Sequence, residues 1–116
     1  MQANAERERL RARIAAASQH VRLSGSVKDQ GHASLLGVYT MIEGRQEGDR
    51  PVYKQEHGPG WAWWHDRAWR IGVHEESVGL SGRCGLRVRS EAAVLEDTTG
   101  GEWKVCCLTL SLCCVL

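Results

Sequence analysis

Four of the five tryptophans of this chain stand at positions 61, 63, 64 and 69. The stretch around them, residues 50–72, also holds both prolines and one of the two tyrosines. Phenylalanine is absent, so these few large rings must supply much of the core of a small domain. On an extended strand Trp61 and Trp63 take one face and Trp64 takes the other. The chain therefore needs a sheet covered on both faces, or it leaves a tryptophan exposed.

Short apolar runs with a period of two residues, separated by turn signals, surround the tryptophans. We expect strands at residues 21–23, 37–42, 51–55, 61–64, 69–73, 86–89 and 103–105. Gly58-Pro59-Gly60 is the clearest turn between them, and residues 43–49 are expected to close a hairpin loop. About seven short strands predict an all-β domain, either a small antiparallel sandwich or a partly closed barrel.

The N-terminal residues follow a different period. Asn4 can cap a helix over residues 5–18, in which Leu10, Ile14 and Ala17 form a narrow apolar stripe. The stripe could dock on its own domain or on a partner. At 116 residues the chain suits one domain. We therefore divide it into an amphipathic helix or linker at 1–20, a β-rich module at 21–105 and an apolar cysteine-rich tail at 106–116.

Six short motifs follow one another along the β-rich module: Val21-Arg22-Leu23-Ser24-Gly25, Gly37-Val38-Tyr39, Gly48-Asp49-Arg50-Pro51-Val52-Tyr53-Lys54, Trp61-Ala62-Trp63-Trp64, Ala68-Trp69-Arg70-Ile71-Gly72 and Trp103-Lys104-Val105. In this order and spacing they resemble a small tryptophan- and glycine-rich β module found, often in tandem, in predicted proteins of algae and other protists. That module often has W-L-x-Y where this chain has Trp64-His65. The resemblance implies a β-rich fold and brings no established activity with it.

Catalytic and metal-binding patterns are missing from the sequence. The five histidines have neither helical i,i+4 spacing nor an HExxH or HxH arrangement, and no serine or cysteine has an identifiable base. We therefore expect no catalytic residue, no metal, no cofactor and no enzymatic activity. The formal net charge of +1 also lacks the basic surplus that nucleic-acid binding needs, so we expect no nucleic-acid partner.

The aromatic residues are instead the candidates for binding. We expect an exposed surface formed by Tyr53, Trp61 and Trp64 beside the Gly58-Pro59-Gly60 turn, which predicts a binding or scaffolding module with a protein partner. The alternative is a carbohydrate-binding module that stacks a small sugar on the same rings. The competing structural interpretation is that Trp61, Trp63, Trp69 and Trp103 form the core and that Tyr53 packs against Tyr39 across strands.

The last four residues, Cys113-Cys114-Val115-Leu116, fit a prenylation motif with Cys113 as the modified residue. If Cys113 carries a prenyl group, the chain would be a membrane-tethered adaptor. Residues 106–116 could equally be a plain edge strand or an inert extension. No apolar run approaches 18 residues and the N-terminus lacks a signal sequence, so we expect an intracellular, cytoplasmic protein with free thiols.

Overall fold

A computed structural model describes residues 2–24, 34–79, 85–98, 103–106 and 113–115, with side chains at 5–24, 34–79 and 85–98. Helix α1 spans Gln2–Ala16. Eight strands follow: β1 His20–Leu23, β2 Gly37–Glu47, β3 Arg50–Gln55, β4 Trp61–His65, β5 Ala68–Gly72, β6 Leu86–Arg89, β7 Trp103–Cys106 and β8 Cys113–Val115.

The eight strands form one sheet in the order β1 to β8, and each strand pairs antiparallel with the next. The sheet is therefore an uninterrupted meander, and it curls into a half-barrel. This confirms the predicted all-β class with one N-terminal helix. Of the two predicted architectures, the single curled sheet corresponds to the partly closed barrel.

The hairpin between β2 and β3 differs from the prediction. Strand β2 continues to Glu47, so the turn consists of Gly48 and Asp49, and the predicted loop over residues 43–49 is wrong. The pairing register shifts between Met41 and Gln46, which accommodates the additional residues of β2 as a bulge. Both turn residues have positive φ angles (58° and 64°), as a two-residue hairpin turn of type I′ requires.

The larger core lies on the face of the sheet that we call the inner face. Tyr53, Ala62, Ile71 and Leu86 are directly paired across β3 to β6, and all four are fully buried. Trp69 packs edge-on against Tyr53, with 5.8 Å between the ring centroids. Further buried members of this core are Leu35, Tyr39, Val88 and Leu95. The alternation of the strands thus places every second residue of β3 to β6 in this core, as their period-two pattern predicts.

A second, smaller core lies on the opposite, outer face. Val52 and Trp63 are fully buried there, and Ile42, Trp61 and Val78 pack against them while remaining partly exposed. Val78 follows the short 3₁₀ helix Glu75–Ser77, which comes after β5. The sheet is therefore covered on both faces around Trp63. For this reason Trp63 and Trp64, whose side chains point to opposite faces, are both at least partly shielded from water.

Residues 90–98, which we call the strap, leave β6 and close over the inner face. Val94 and Leu95 of the strap are buried, and the backbone N–H of Leu95 donates to the Tyr53 hydroxyl over 3.3 Å. Helix α1 contacts β3 and is joined to the strap by Arg13. The strap therefore links the helix to the core.

Strand β8 lies within the predicted tail and pairs with β7 from Cys106↔Cys113 to Lys104↔Val115. Cys113–Val115 thus form an edge strand, which is one of the three interpretations of residues 106–116. The side chains of Trp103 and Cys113 lie outside the described residues, so the predictions of a core role for Trp103 and of lipidation at Cys113 remain predictions.

Candidate functional site

Tyr53 is not part of any exposed aromatic surface. Its side chain is fully buried, and its ring meets Trp69 edge-on. Burial raises the pKa of the Tyr53 hydroxyl to about 12, and the hydrogen bond from the Leu95 N–H opposes that rise only in part. The structure therefore places Tyr53 in the core, and we leave it out of the candidate site.

Trp64 is partly buried and is held from several sides. Its indole N–H donates to the Ser90 carbonyl of the strap over 2.8 Å. The Arg50 guanidinium lies over its ring at 3.7 Å from the centroid. A Cβ built on Gly48 would come within 2.6 Å of the ring, so the backbone of the β2–β3 turn packs against it as well. With Arg50 over its ring, Trp64 joins the strap to the hairpin and does not present an open stacking surface.

The turn after β3 is also organised by a buried side chain. The Gln55 amide donates to the carbonyls of Ser34 and Leu36, and its oxygen accepts the Gly60 N–H over 2.9 Å. A Cβ on Gly58 would overlap the Gln55 side chain. The glycine-proline-glycine sequence therefore serves close packing around Gln55.

Trp61 is the member of the predicted surface that stays on the exterior. It lies at the margin of the outer-face core, partly exposed, and directly opposite Lys54 on β3. The Lys54 ammonium and the Arg45 guanidinium both lie 5.4 Å from the centroid of its ring. Within the described residues its indole N–H makes no hydrogen bond, in contrast to those of Trp64 and Trp69. We call Trp61, Arg45 and Lys54 the Trp61 surface.

The two cations of the Trp61 surface are positioned by other contacts. Lys54 donates to the Gly58 carbonyl over 2.7 Å, and Arg45 pairs with Glu75 over 2.8 Å. A cation at 5.4 Å from an aromatic centroid is near the outer limit of a cation–π contact and contributes little stability by itself. The surface therefore combines an apolar ring with two positive groups close to it.

His20 of β1, Thr40 of β2 and Glu56, which follows β3, form a hydrogen-bonded trio. Thr40 Oγ1 donates to Glu56 Oε1 over 2.8 Å, and His20 Nδ1 lies 3.0 Å from Thr40 Oγ1. These residue types also occur in catalytic sites, but here 63% of the His20 side chain is exposed. Water screens such a group, and the Thr40 hydroxyl donates its hydrogen bond to the Glu56 carboxylate rather than to the imidazole.

The described residues include no group of three or more histidine, cysteine, aspartate or glutamate side chains that could hold a metal ion. In the same part of the chain, no helix has the length and apolar character needed to cross a membrane.

Comparison with protein-family models, curated proteins and solved structures finds no match to this chain. The resemblance to the protist β module accordingly stays a prediction. Any function must be inferred from the geometry of the chain itself.

Sequence reasoning identified Trp61 but not its two cationic neighbours. The position of Lys54 could have been found, because a tight turn at residues 58–60 pairs Lys54 with Trp61 across the hairpin. The position of Arg45 could not, because it depends on the register shift within β2. Arg50 and Gln55 were also missed, since a polar residue in a strand does not reveal which carbonyls it will reach.

Proposed function

We propose that this chain is a non-enzymatic binding module that contacts a protein partner through the Trp61 surface. The observation that carries the proposal is the state of Trp61, which is partly exposed and whose indole N–H bonds to none of the described residues, while Trp63 and Trp69 are fully buried. Tryptophan and arginine are the residue types most enriched at the energetic centres of protein interfaces.

The charges around Trp61 favour a partner that carries acidic groups next to an apolar side chain. The ammonium of Lys54 is anchored to the turn, so it would lose little conformational entropy on binding. Arg45 is held in the same way by Glu75. A partner carboxylate could approach these donors while an apolar side chain covers the exposed part of the ring.

The carbohydrate alternative has weaker support. A sugar needs an open ring face for stacking, and Arg50 already lies over Trp64 while Tyr53 is buried. Trp61 alone, with two cations close to its ring, offers a small platform. A glycan-array screen gives the direct test, and specific binding that is lost in Trp61→Ala would favour a sugar ligand over a protein.

The experiment that tests the proposal is an affinity capture from extracts of the cells that express the protein, quantified by mass spectrometry. The parent is compared with Trp61→Ala and with Val73→Ala, which removes another exposed apolar side chain of the described residues. We expect specific partners to be retained by Val73→Ala and lost by Trp61→Ala. Denaturant melts of both variants establish that they are folded.

Two results would overturn the proposal. If folded Trp61→Ala retains every partner of the parent, the binding surface lies elsewhere. If neither the parent nor Val73→Ala captures any specific protein, a protein partner is the wrong class of ligand.

A further inference from the structure

Helix α1 rests on the domain without sealing against it. Residues 5–9, 11, 12, 15 and 16 are exposed, and Leu10 and Ile14 are only partly buried. Two cavities, of about 380 and 450 Å³, lie along the helix, and Leu10 lines both. Both are clefts open to solvent between the helix and the rest of the domain, so the helix does not seal against the domain there.

Among the described residues, the side-chain hydrogen bonds and ion pairs that attach α1 to the rest of the domain all come from Arg13. Arg13 Nε lies 2.8 Å from one carboxylate oxygen of Asp97, and Arg13 Nη2 lies 2.8 Å from the other. Arg13 Nη2 is also 3.3 Å from Glu96, which accepts the Ser18 backbone N–H over 2.9 Å. We call the ion pairs of Arg13 with Glu96 and Asp97 the latch.

The cavities show what lies beneath the helix. One is walled by Gln46 and Asp49 of the β2–β3 hairpin, and the other by Arg50, Glu91 and Ala93. Arg50 is the guanidinium that lies over Trp64. Helix α1 therefore lies over the start of β3, where the Arg50–Trp64 pair meets the strap.

We propose that α1 is a lid that swings away about residues 17–19 when the latch opens, unwinds once detached, and uncovers the Arg50–Trp64 pair while the sheet stays folded. A helix of 15 residues is marginally stable alone, and exposed ion pairs stabilise weakly, so the opening requires far less free energy than global unfolding. The sheet side of the hinge is fixed, because Met41 N–H donates to the Gln19 carbonyl over 2.8 Å. The lid involves none of the residues of the Trp61 surface.

The opening of the lid is tested by measuring amide hydrogen exchange of the full chain at each residue. In the parent we expect the α1 amides to exchange through openings that leave the amides of β4 and β5 protected. Arg13→Gln removes the latch and should make α1 exchange severalfold faster at unchanged β4 and β5 rates. Asp97→Asn removes the shorter of the two ion pairs from the strap side and should accelerate α1 exchange by no more than Arg13→Gln does, because Arg13 keeps its pair with Glu96.

The matched control is Arg11→Gln, which removes one charge from the same helix. Arg11 lines a cavity and makes no ion pair within the described residues, so its variant should exchange like the parent. The double variant Arg13→Gln with Asp97→Asn should exchange no faster than the faster single variant, because both remove one interaction.

Two outcomes would overturn the lid. One is equal protection of the α1 amides and the β4 and β5 amides in the parent, which would mean that helix and sheet open as one cooperative unit. The other is that the α1 amides exchange as fast in Arg11→Gln as in Arg13→Gln. The faster exchange would then result from the loss of any positive charge from the helix and not from the loss of the latch.

Discussion

The guanidinium of Arg50 lies over the indole of Trp64, with 3.7 Å between Arg50 Cζ and the ring centroid. Only 9% of the Arg50 side chain is exposed, and the nearest carboxylate, that of Glu91, is 3.8 Å away. The charge is stabilised by main-chain carbonyls at Gly48, Glu91 and Ala92. Burial lowers the pKa of Arg50, but an arginine remains charged throughout the physiological range. One buried cation thus joins the β2–β3 hairpin to the strap.

Replacing this guanidinium should therefore be costly even when the charge is kept. A lysine ammonium cannot reproduce the planar fork that reaches three carbonyls and lies over the ring. We expect Arg50→Lys to lower the free energy of unfolding by about 2–3 kcal/mol in denaturant melts. Arg89→Lys, at an exposed position of β6, should stay within about 0.5 kcal/mol of the parent. Equal free energies of unfolding for Arg50→Lys and Arg89→Lys would contradict the structural role of Arg50.

The three tryptophans of β4 should differ in what their removal costs. Trp63→Ala empties the outer-face core and should destabilise the chain by about 3–5 kcal/mol. Trp64→Ala should cost less, because its ring is partly exposed, and Trp61→Ala about 1 kcal/mol or less. Urea unfolding followed by circular dichroism measures all three. A loss of stability in Trp61→Ala as large as that in Trp63→Ala would show that Trp61 belongs to the core.

The Gly60 position should accept no side chain. An added Cβ would overlap the Tyr39 hydroxyl and come within 2.7 Å of Gln55 Oε1. Both atoms are held in place, because Tyr39 donates to the Leu35 carbonyl and Gln55 accepts the Gly60 N–H. We expect Gly60→Ala to cost about 1–3 kcal/mol in thermal or denaturant unfolding.

The same overlap supplies a check on its cause. Tyr39→Phe removes the obstructing hydroxyl, so Gly60→Ala should cost less in that background than in the parent. If the two substitutions change the free energy of unfolding additively, overlap with the Tyr39 hydroxyl is not the reason for the cost of Gly60→Ala.

The β4–β5 turn stores backbone strain that can be released. Asp66 and Arg67 both have positive φ angles, 48° and 64°, where a glycine fits without steric cost. Arg67→Gly should raise the free energy of unfolding by about 0.5–1 kcal/mol. This range already includes the opposing effect of glycine, which has greater conformational freedom in the unfolded chain. Arg67→Ala keeps a Cβ and should bring no gain. Stabilisation by alanine equal to that by glycine would exclude backbone strain as the reason.

The latch should depend on pH in the acid range. The hydrogen bond from Arg13 holds the pKa of the Asp97 carboxyl below its ordinary value. Because the pKa of Asp97 is lower in the folded chain than in the unfolded chain, its ion pair with Arg13 stabilises the attachment of α1 fully above the ordinary pKa of an aspartate. This stabilisation is lost as the pH falls through the lowered pKa. NMR titration of Asp97 should show this pKa rising toward the ordinary value in Arg13→Gln. An identical Asp97 pKa in parent and variant would rule out the contact in solution.

Turn glycines and alternating apolar residues predicted the short antiparallel strands, although not their order in a single sheet. Residues 86–89 illustrate this, because Leu86 and Val88 are buried and Arg87 and Arg89 exposed, as their alternation requires. The predicted helix over residues 5–18 was displaced by only two or three residues from the observed α1. Such features depend on neighbours in sequence, since backbone geometry fixes the period of a strand or helix locally.

The environment of each tryptophan was decided by tertiary structure alone. Alternation places Trp61 and Trp63 on one face, but only the packing of Val78 and Ile42 buries Trp63 and leaves Trp61 at the margin. Likewise, Trp64 is held by Ser90, a residue 26 positions away in sequence. Exposure depends on which distant segments close over a strand, and the sequence pattern of the strand carries no information about their path.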